Sequence, residues 1–298
     1  MRFISLCCQG TYGAIRKNME WTGHYIDILK GEQFTPEYLA LNPKGVVPIL
    51  IDDGTIIRES TVICEYIDHI HPVTPLQPTS AIEAARVRNW TKFVDEYVHL
   101  MCATLTFTCS HRVTMKRLPP DKVDTLIAKT PDAGLRKKKR EWFNLGFEGP
   151  EFIKAVQVFE KMLADMEAAL VNHEWLAGDS LSLADIGVLP YVNRLAMFTM
   201  LVKWPPARPR ALAWLARMKA RASFQPASMS TYPSPWPTIS ASTARKAGRK
   251  WKKFCSLFSH KEFLQPRQFD LYSDQRSPQA LRLLAHELAS GLDEPAAP

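Results

Sequence analysis

Several features that identify membrane, exported and metal-binding proteins are missing from this 298-residue sequence. It has no run of about 20 apolar residues, and the N-terminus MRFISLCCQG lacks the apolar core and cleavage site of an export signal. The six cysteines have neither zinc-ribbon spacing nor the density of a disulfide scaffold, and the eight histidines show no metal spacing. We therefore expect a cytoplasmic protein with reduced thiols, without a metal and without stable membrane insertion.

The formal charge of +8 is unevenly distributed. Much of it lies in GLRKKKREW (Gly134 to Trp142), which we interpret as a connection, and in ARKAGRKWKKF (Ala244 to Phe254), which lies in a tail. Neither segment has the interleaved aromatic residues or the motif of a nucleic-acid module. We expect no nucleic-acid partner, although docking of the tail segment on an anionic membrane or on nucleic acid is a weaker alternative.

The N-terminal part of the chain, residues 1–72, alternates short strand and helix patterns. RFISL, YIDIL, VVPILI and TIIR have strand composition, and the pair Asp53-Gly54 between the last two predicts a hairpin. AIRKNMEW, TPEYLAL and STVICEYIDHI have helical spacing, and the last places Val62, Ile63, Tyr66 and Ile70 on one face. The order predicts a βαβ unit followed by a ββα unit.

The remainder of the chain divides into a linker, a helical domain and a tail. Prolines make residues 73–79 a linker, and residues 80–224 have apolar spacing typical of helices, the first running from Ser80 to about Thr108. Residues 225–298 begin with a segment rich in Ser, Pro and Thr, and we expect this tail to be largely disordered. An alternative is that the coding sequence has lost its frame near Phe224, so that the tail contributes neither core nor site.

One segment, NPKGVVPILIDDGTIIRES, combines a proline inside a strand pattern with an acid and a serine after the second strand. Pro48 fits there if its peptide bond is cis or if it lies at an edge, which leaves the Val47 backbone open to pair with an extended peptide. Glu59 and Ser60 fall where a strand ends and a helix begins, where helix N–H groups and a hydroxyl can hold a carboxylate. Glu59 can also accept from an ammonium group. The segment predicts a site for a small peptide with a free amino acid head.

The longer segment LNPKGVVPILIDDGTIIRESTVICEYI resembles the glutathione transferase superfamily. The resemblance implies a thioredoxin-like N-terminal domain (βαβαββα), an all-α C-terminal domain, glutathione as co-substrate and a homodimer. It also implies that Val47, Pro48, Glu59 and Ser60 bind glutathione, and Lys44 is a candidate for the glycyl carboxylate.

A second segment, WLAGDSLSLADIGVLPYVNRL, is similar to a late helix of the same superfamily. Ser182 caps this helix and Asp185 closes the reciprocal hydrogen bond three residues on, with Leu181 and Ile186 at the positions of a hydrophobic staple. We interpret Asp185 as a structural residue and not as a catalytic acid.

The segments RESTVICEYIDHIHP and ARVRNWTKFVDEYVHL are similar to bacterial glutathione-dependent β-etherases, which attack a carbon that bears a phenoxy group next to a ketone. This similarity implies transfer of the glutathione thiolate to a hydrophobic aromatic electrophile, with β-aryl ether cleavage as one form of the reaction. Candidate pocket residues are Trp90, Phe93, Val94, Tyr97, Met101 and Phe107. For each of them, packing of helix against helix is the alternative.

Catalysis requires a thiolate, and a free thiol has a pKa of roughly 8.5. The superfamily places a hydrogen-bond donor just after the first strand, but SLCCQGTYG departs from that pattern. Thr11 is the first candidate because a hydroxyl at a helix start can point at the sulfur, and Tyr12 and Cys8 follow. The alternative function is a non-catalytic glutathione-binding or regulatory protein that retains the fold.

Overall fold

The computed structural model describes residues 3–5, 22–27, 30–204 and 207–224. The strands are β1 (Phe3–Ser5), β2 (Thr22–His24), β3 (Ile49–Asp52) and β4 (Thr55–Arg58), and the helices among them are α1 (Pro36–Leu41) and α2 (Ser60–Ile70). The sheet order is β2-β1-β3-β4, with β1 parallel to β2 and with β3 antiparallel to both of its neighbours. The predicted helix AIRKNMEW and the predicted tail lie outside the described residues.

The hairpin of β3 and β4 follows the prediction from the pair Asp53-Gly54. Asp52 lies opposite Thr55, so two residues form the turn, and both have positive φ, 46° for Asp53 and 80° for Gly54. A two-residue turn with two positive φ angles matches the twist of the flanking strands. The other end of this hairpin is thereby fixed in register, with Ile49 opposite Arg58.

The second strand was predicted in the wrong place. YIDIL has strand composition, but β2 comes earlier, at Thr22–His24, and Tyr25 to Asp27 are not part of a strand, while Ile28 and Leu29 lie outside the described residues. The reason is a turn at Asp27, whose carbonyl accepts from the backbone N–H groups of Lys30 and Gly31, both at 3.1 Å. The Asp27 carboxylate also accepts from the Lys30 N–H at 3.2 Å. Local bonding by an Asp side chain competes with a strand ladder, and here the turn prevails.

Helix α2 packs on the sheet through Ile63 and Ile67, which are fully buried with Leu50 of β3. The predicted face was partly wrong, because Val62 is 48% exposed. Ile63 and Ile67 are four residues apart and lie on the same side of the helix, so the buried stripe is centred on them.

A linker joins the sheet domain to the helical part and is bonded on both sides. The Asp68 carboxylate accepts from the backbone N–H groups of Leu76 and Gln77 at 2.7 and 2.9 Å, and the Leu183 N–H donates to the Leu76 carbonyl at 3.1 Å. These contacts fix the path of the chain after α2.

The helical part begins with a stretch that is helical from residue 81 to residue 115. It comprises α3 (Ala81–Phe93), a π-helical segment (Val94–Val98), α4 (His99–Thr106), a second π-helical segment (Phe107–His111) and α5 (Arg112–Met115). It therefore extends beyond the predicted end near Thr108. Further helices are α6 (Pro120–Ala128), α7 (Ala133–Leu145), α8 (Pro150–Ala169), α9 (Leu183–Met197) and α10 (Pro209–Lys219). Buried side chains from most of these helices form one large apolar core, and those of α6 and α7 form a separate cluster with Phe107 and Met115.

The basic segment GLRKKKREW lies on helix α7, so its interpretation as a connection was wrong. The helix begins at a cap, since the Asp132 carboxylate accepts from the Leu135 N–H at 2.6 Å. Its Trp142 is buried against Phe107, with ring centroids 5.5 Å apart. The Arg112 guanidinium donates to the carbonyls of Phe143 and Asn144 near the end of α7, at 2.7 and 3.5 Å. The charges are one face of an amphipathic helix whose other face is packed.

The capping box of α9 was predicted and is confirmed. Both reciprocal bonds between Ser182 and Asp185 are present, and the Ser182 N–H lies 3.0 Å from Asp185 Oδ2. The predicted staple residues Leu181 and Ile186 are both buried.

Within the described residues, no helix is long and apolar enough to cross a membrane. The same residues contain no group of three or more His, Cys, Asp or Glu side chains placed to hold a metal ion.

Candidate functional site

The sheet topology brings the two halves of the predicted peptide site together. Because Ile49 pairs with Arg58, the residues before β3 and after β4 meet at one end of the hairpin. Val47 and Pro48 stand directly before β3, joined by a cis peptide bond, and Glu59 and Ser60 stand directly after β4. Residues that are twelve positions apart in sequence therefore form one surface.

The loop before Val47 is anchored by buried polar groups. Asn42, only 1% exposed, donates from Nδ2 to the Val46 carbonyl at 2.7 Å, and the Tyr38 hydroxyl donates to the same oxygen at 2.9 Å. The next residue, Val47, is half-buried, and neither its N–H nor its C=O is bonded to another residue that the structure describes. A fixed backbone with an open donor and acceptor is what an extended peptide needs for pairing.

Glu59 has φ 68° and ψ 124°, a conformation that residues with a side chain seldom adopt. This turn directs the chain from β4 into α2, which begins at Ser60. The first N–H groups of a helix have no partner within the helix and carry partial positive charge, so they attract an anion. The Ser60 hydroxyl is positioned at the same helix terminus, and together these groups can hold a carboxylate.

Lys44 and Glu59 form an ion pair, with Lys44 Nζ 2.6 Å from Glu59 Oε1. The two side chains are 70% and 54% exposed, and pairs this exposed contribute about 0 to 1 kcal/mol to stability. The site therefore presents a cation and a carboxylate side by side that separate at little cost. A zwitterionic peptide can bind to both.

The helical domain also reaches this site, through a residue that the sequence interpretation missed. The Thr61 hydroxyl, one residue after Ser60, donates to Asp95 Oδ2 at 2.8 Å. Burial raises the pKa of Asp95, while the Thr61 hydrogen bond and the nearby His99 oppose that rise. The charge of Glu59 also raises the pKa of Asp95, which places the two carboxylates within electrostatic range. The sequence feature that could have identified Asp95 is its spacing from His99, because residues four positions apart lie on one face of a helix.

The structure distributes the candidate pocket residues among different environments. Val94 is fully buried in the large core, and Phe107 is buried in a separate cluster with Trp142. The candidates that are partly buried and pack against the large core are Trp90, Phe93, Tyr97 and Met101. Phe93 and Tyr97 are in contact, with ring centroids 5.7 Å apart. Whether any of these side chains contacts a substrate stays a prediction.

One of these aromatic residues has a structural bond. The indole Nε1 of Trp90 donates to the Leu176 carbonyl at 3.2 Å, which joins α3 to the loop before α9. The candidates for thiol activation, Thr11, Tyr12 and Cys8, lie outside the described residues, and their roles also stay predictions.

Comparison with known proteins gives two family matches and similar relatives. The model for "Glutathione S-transferase, N-terminal domain" matches residues 11–70, and the model for "Glutathione S-transferase, C-terminal domain" matches residues 132–217. Protein LigF of Sphingobium sp. strain SYK-6 is 29% identical over 219 residues, which cover 70% of this chain and 83% of LigF. Glutathione S-transferase 2 of Saccharomyces cerevisiae is 31% identical over 208 residues, 67% of this chain and 74% of that protein.

The crystal structure of the beta-etherase LigF from Sphingobium sp. strain SYK-6 is similar to this fold. The TM-score is 0.63 at 25% identity, and the match covers 76% of this chain and 98% of the LigF chain. The predicted fold class, a thioredoxin-like domain followed by an all-α domain, is confirmed by these matches together with the sheet order.

Proposed function

The chain belongs to the glutathione S-transferase family, and we propose that it is a glutathione transferase that adds the glutathione thiolate to a hydrophobic aromatic electrophile. The main support is the open backbone of Val47 beside the N-terminus of α2 at Ser60. The glutathione backbone pairs with Val47, and the carboxylate of its γ-glutamyl head binds Ser60 and the first N–H groups of α2.

The charged side chains of the site each bind one charged group of glutathione. Glu59 accepts from the ammonium group of the γ-glutamyl head, and Lys44 binds the glycyl carboxylate, so the exposed ion pair between them separates on binding. Asp95 lies within electrostatic range of Glu59 and adds negative potential near the ammonium group. Pro48 fixes the direction of the Val47 backbone.

The specific reaction that we propose is cleavage of a β-aryl ether. The glutathione sulfur attacks the carbon that bears the phenoxy group, a C–S bond forms as the C–O bond breaks, and the electron pair leaves with the phenolate oxygen. The phenolate takes a proton from water, and the product is a thioether of glutathione. The similarity to LigF, which is named a beta-etherase, supports this choice.

Activation of the thiol is assigned to Thr11, with Tyr12 and Cys8 as the next candidates. A pH-resolved ultraviolet titration of bound glutathione tests them through the thiolate band in wild type, Thr11→Ala, Tyr12→Phe and Cys8→Ala. We expect the thiolate to form at higher pH in Thr11→Ala. A band unchanged in all three variants would remove these assignments.

Binding is tested by calorimetric titration of glutathione into wild type and Ser60→Ala. Loss of a hydrogen bond to a charged carboxylate costs about 1.5 to 3 kcal/mol, so we expect Kd to rise roughly tenfold or more. Ser80→Ala is the matched control, because it removes an exposed hydroxyl at the start of α3 that makes no capping hydrogen bond, and it should bind as wild type does. Equal affinity in all three proteins would contradict the proposed site.

The proposed ether cleavage is tested with a β-phenoxy ketone and glutathione, by measuring phenol release and thioether formation in the same reaction. Equal amounts of both products establish ether cleavage. Thioether formation from 1-chloro-2,4-dinitrobenzene alone would retain the transferase and reject the ether substrate. Glutathione binding without any thioether would support the alternative, a non-catalytic glutathione-binding protein.

We also propose, from the family, a homodimer that works in the cytoplasm. Sedimentation analysis of the full chain checks the first point, and fractionation of cells that express it checks the second. A monomer over the whole concentration range would reject the dimer.

A further inference from the structure

A second concave site lies at the other end of α2 from the candidate glutathione site. It is an open cavity of about 430 Å³, lined by Thr74, Pro75, Trp175, Asp179, Ser180, Leu181 and Arg221. Helix α2 has 11 residues, so about 16 Å of helix separates Ser60 from the linker that forms one wall. A volume of this size is sufficient for a small organic molecule.

Arg221 provides the cavity with a positive charge. Its guanidinium lies over the Trp175 ring, 5.7 Å from the centroid. Among the described residues no carboxylate forms a salt bridge with Arg221, and no group accepts a hydrogen bond from its Nε, which the protein encloses. A guanidinium whose charge no neighbouring carboxylate offsets is available to an anionic ligand in the cavity.

The neighbouring charged groups are already paired. Arg217, which also lies over the Trp175 ring, donates to the Glu174 carbonyl at 2.5 Å and has the Glu174 carboxylate 3.7 Å from its Nε. Asp179 is 82% exposed and bonded to His173 Nδ1 at 2.9 Å, so its carboxylate is mostly in water. Of the arginines that stack on Trp175, Arg221 is the one that lines the cavity.

We propose that this cavity binds a small planar carboxylate, with Arg221 as the residue that holds it. A guanidinium presents a planar fork of N–H donors that matches a carboxylate in a bidentate pair. The cation–π contact with the Trp175 ring holds the guanidinium in place, the Ser180 hydroxyl adds a polar group, and Pro75 and Leu181 contact the apolar body of the ligand. The site is separate from glutathione binding.

A bound carboxylate would join parts of the chain that the fold already brings together at this point. Pro75 belongs to the linker, Leu181 directly precedes the cap of α9, and Arg221 follows α10. Binding would therefore stabilise the contact between the linker and the helical domain.

The test is a ligand-observed NMR titration of the full chain with benzoate, carried out once without glutathione and once with it. We expect benzoate to bind with Kd of about 1 mM or tighter, and the neutral isostere benzamide to bind at least tenfold more weakly. Arg221→Gln should weaken benzoate binding at least tenfold. Arg210→Gln removes an exposed positive charge from the nearby helix α10 and should leave Kd unchanged within a factor of two.

Ser180→Trp keeps every charge and adds bulk at the cavity wall, so it should also abolish benzoate binding, even if Arg221→Gln folds poorly. Three results would overturn the site: no benzoate binding to wild type, equal binding of benzoate and benzamide, or equal losses in Arg221→Gln and Arg210→Gln. Glutathione binding is measured separately, so failure of the glutathione proposal leaves this test intact.

Discussion

Glu59 combines a charge suited to binding with a backbone conformation that favours glycine. Its φ of 68° and ψ of 124° lie outside the regions that side chains favour, and such strain costs about 1 to 3 kcal/mol. This backbone conformation turns the chain so that α2 begins at Ser60, beside Val47. Backbone strain concentrates at functional sites because the geometry of the site, and not stability, selects the residue.

Replacement of Glu59 separates these two properties. Glu59→Gly and Glu59→Gln both remove the carboxylate and its pair with Lys44, but only glycine removes the strain. We expect Glu59→Gly to be more stable than Glu59→Gln by about 1 kcal/mol in urea unfolding. Both variants should bind glutathione roughly tenfold more weakly than wild type does, because each loses one charge-assisted hydrogen bond.

The Gln variant is the matched control, since it differs from wild type in charge and hardly in shape. If Glu59→Gly were the less stable of the two, the backbone at this position would carry no strain. If either variant retained full affinity, the ammonium group would have another partner.

At the scale of the element, sequence patterns were reliable where local bonding and burial agree. Asp53-Gly54 predicted the hairpin because few residue pairs accept two positive φ angles. Sequence patterns gave the wrong element where local hydrogen bonds compete with strand pairing. At Asp27, hydrogen bonds of a turn take the place of the predicted strand. Sequence patterns also failed at α7, where a run of basic residues obscured the helical spacing of buried Trp142.

The start of α9 depends on one buried carboxylate. Asp185 is fully buried, and its oxygens accept from Ser182 N–H and from Ser182 Oγ, both at 3.0 Å, from Leu176 N–H at 3.1 Å and from Trp214 Nε1 at 2.8 Å. These bonds connect the preceding loop, α9 and α10. Burial raises the pKa of this carboxyl, and the four hydrogen bonds oppose the rise.

Asp185→Asn replaces one acceptor oxygen with an NH₂ group that faces N–H donors. Since hydrogen bonds to a buried charge contribute about 1.5 to 3 kcal/mol each, we expect a loss of roughly 2 to 4 kcal/mol in the free energy of unfolding, measured by urea titration. Ser182→Ala removes only the capping hydroxyl and should cost about 1 kcal/mol. A stable Asp185→Asn protein that cannot form the thioether would instead assign Asp185 to catalysis.

At the scale of the whole molecule, contacts between the two domains were beyond what the sequence could predict. The bond from Thr61 to Asp95 joins residues 34 positions apart and depends on how α2 and the π-helical segment after α3 meet. Apolar periodicity tells which face of a helix is buried but not which side chain of another domain faces it. Val94 and Phe107 illustrate the same limit, because buried aromatic or branched residues in a helix fit a core as well as a pocket.

The buried position of His111 makes the stability of the molecule depend on pH. Burial lowers the pKa of His111, and so do the charges of Lys139 on α7 and Arg194 on α9. The unfolded chain, in which a histidine has a pKa of about 6.5, therefore binds more protons than the folded chain does as pH falls below that value. The stability that the uncharged His111 contributes is fully present above about pH 6.5. It decreases below that pH, by at most about 1.4 kcal/mol per pH unit.

Urea unfolding of wild type and His111→Gln between pH 5 and pH 8 measures this contribution as a difference. Asp185 and Glu160, whose pKa values burial raises, change stability in the opposite direction in acid but contribute equally to both proteins. We expect the difference between the two curves to change below about pH 6.5, in the direction of a less acid-sensitive variant. Lys139→Met, which removes one of the charges near His111, should have an intermediate slope. Parallel curves for wild type and His111→Gln over the whole range would show that His111 has the same pKa in the folded and unfolded chains, which would contradict this prediction.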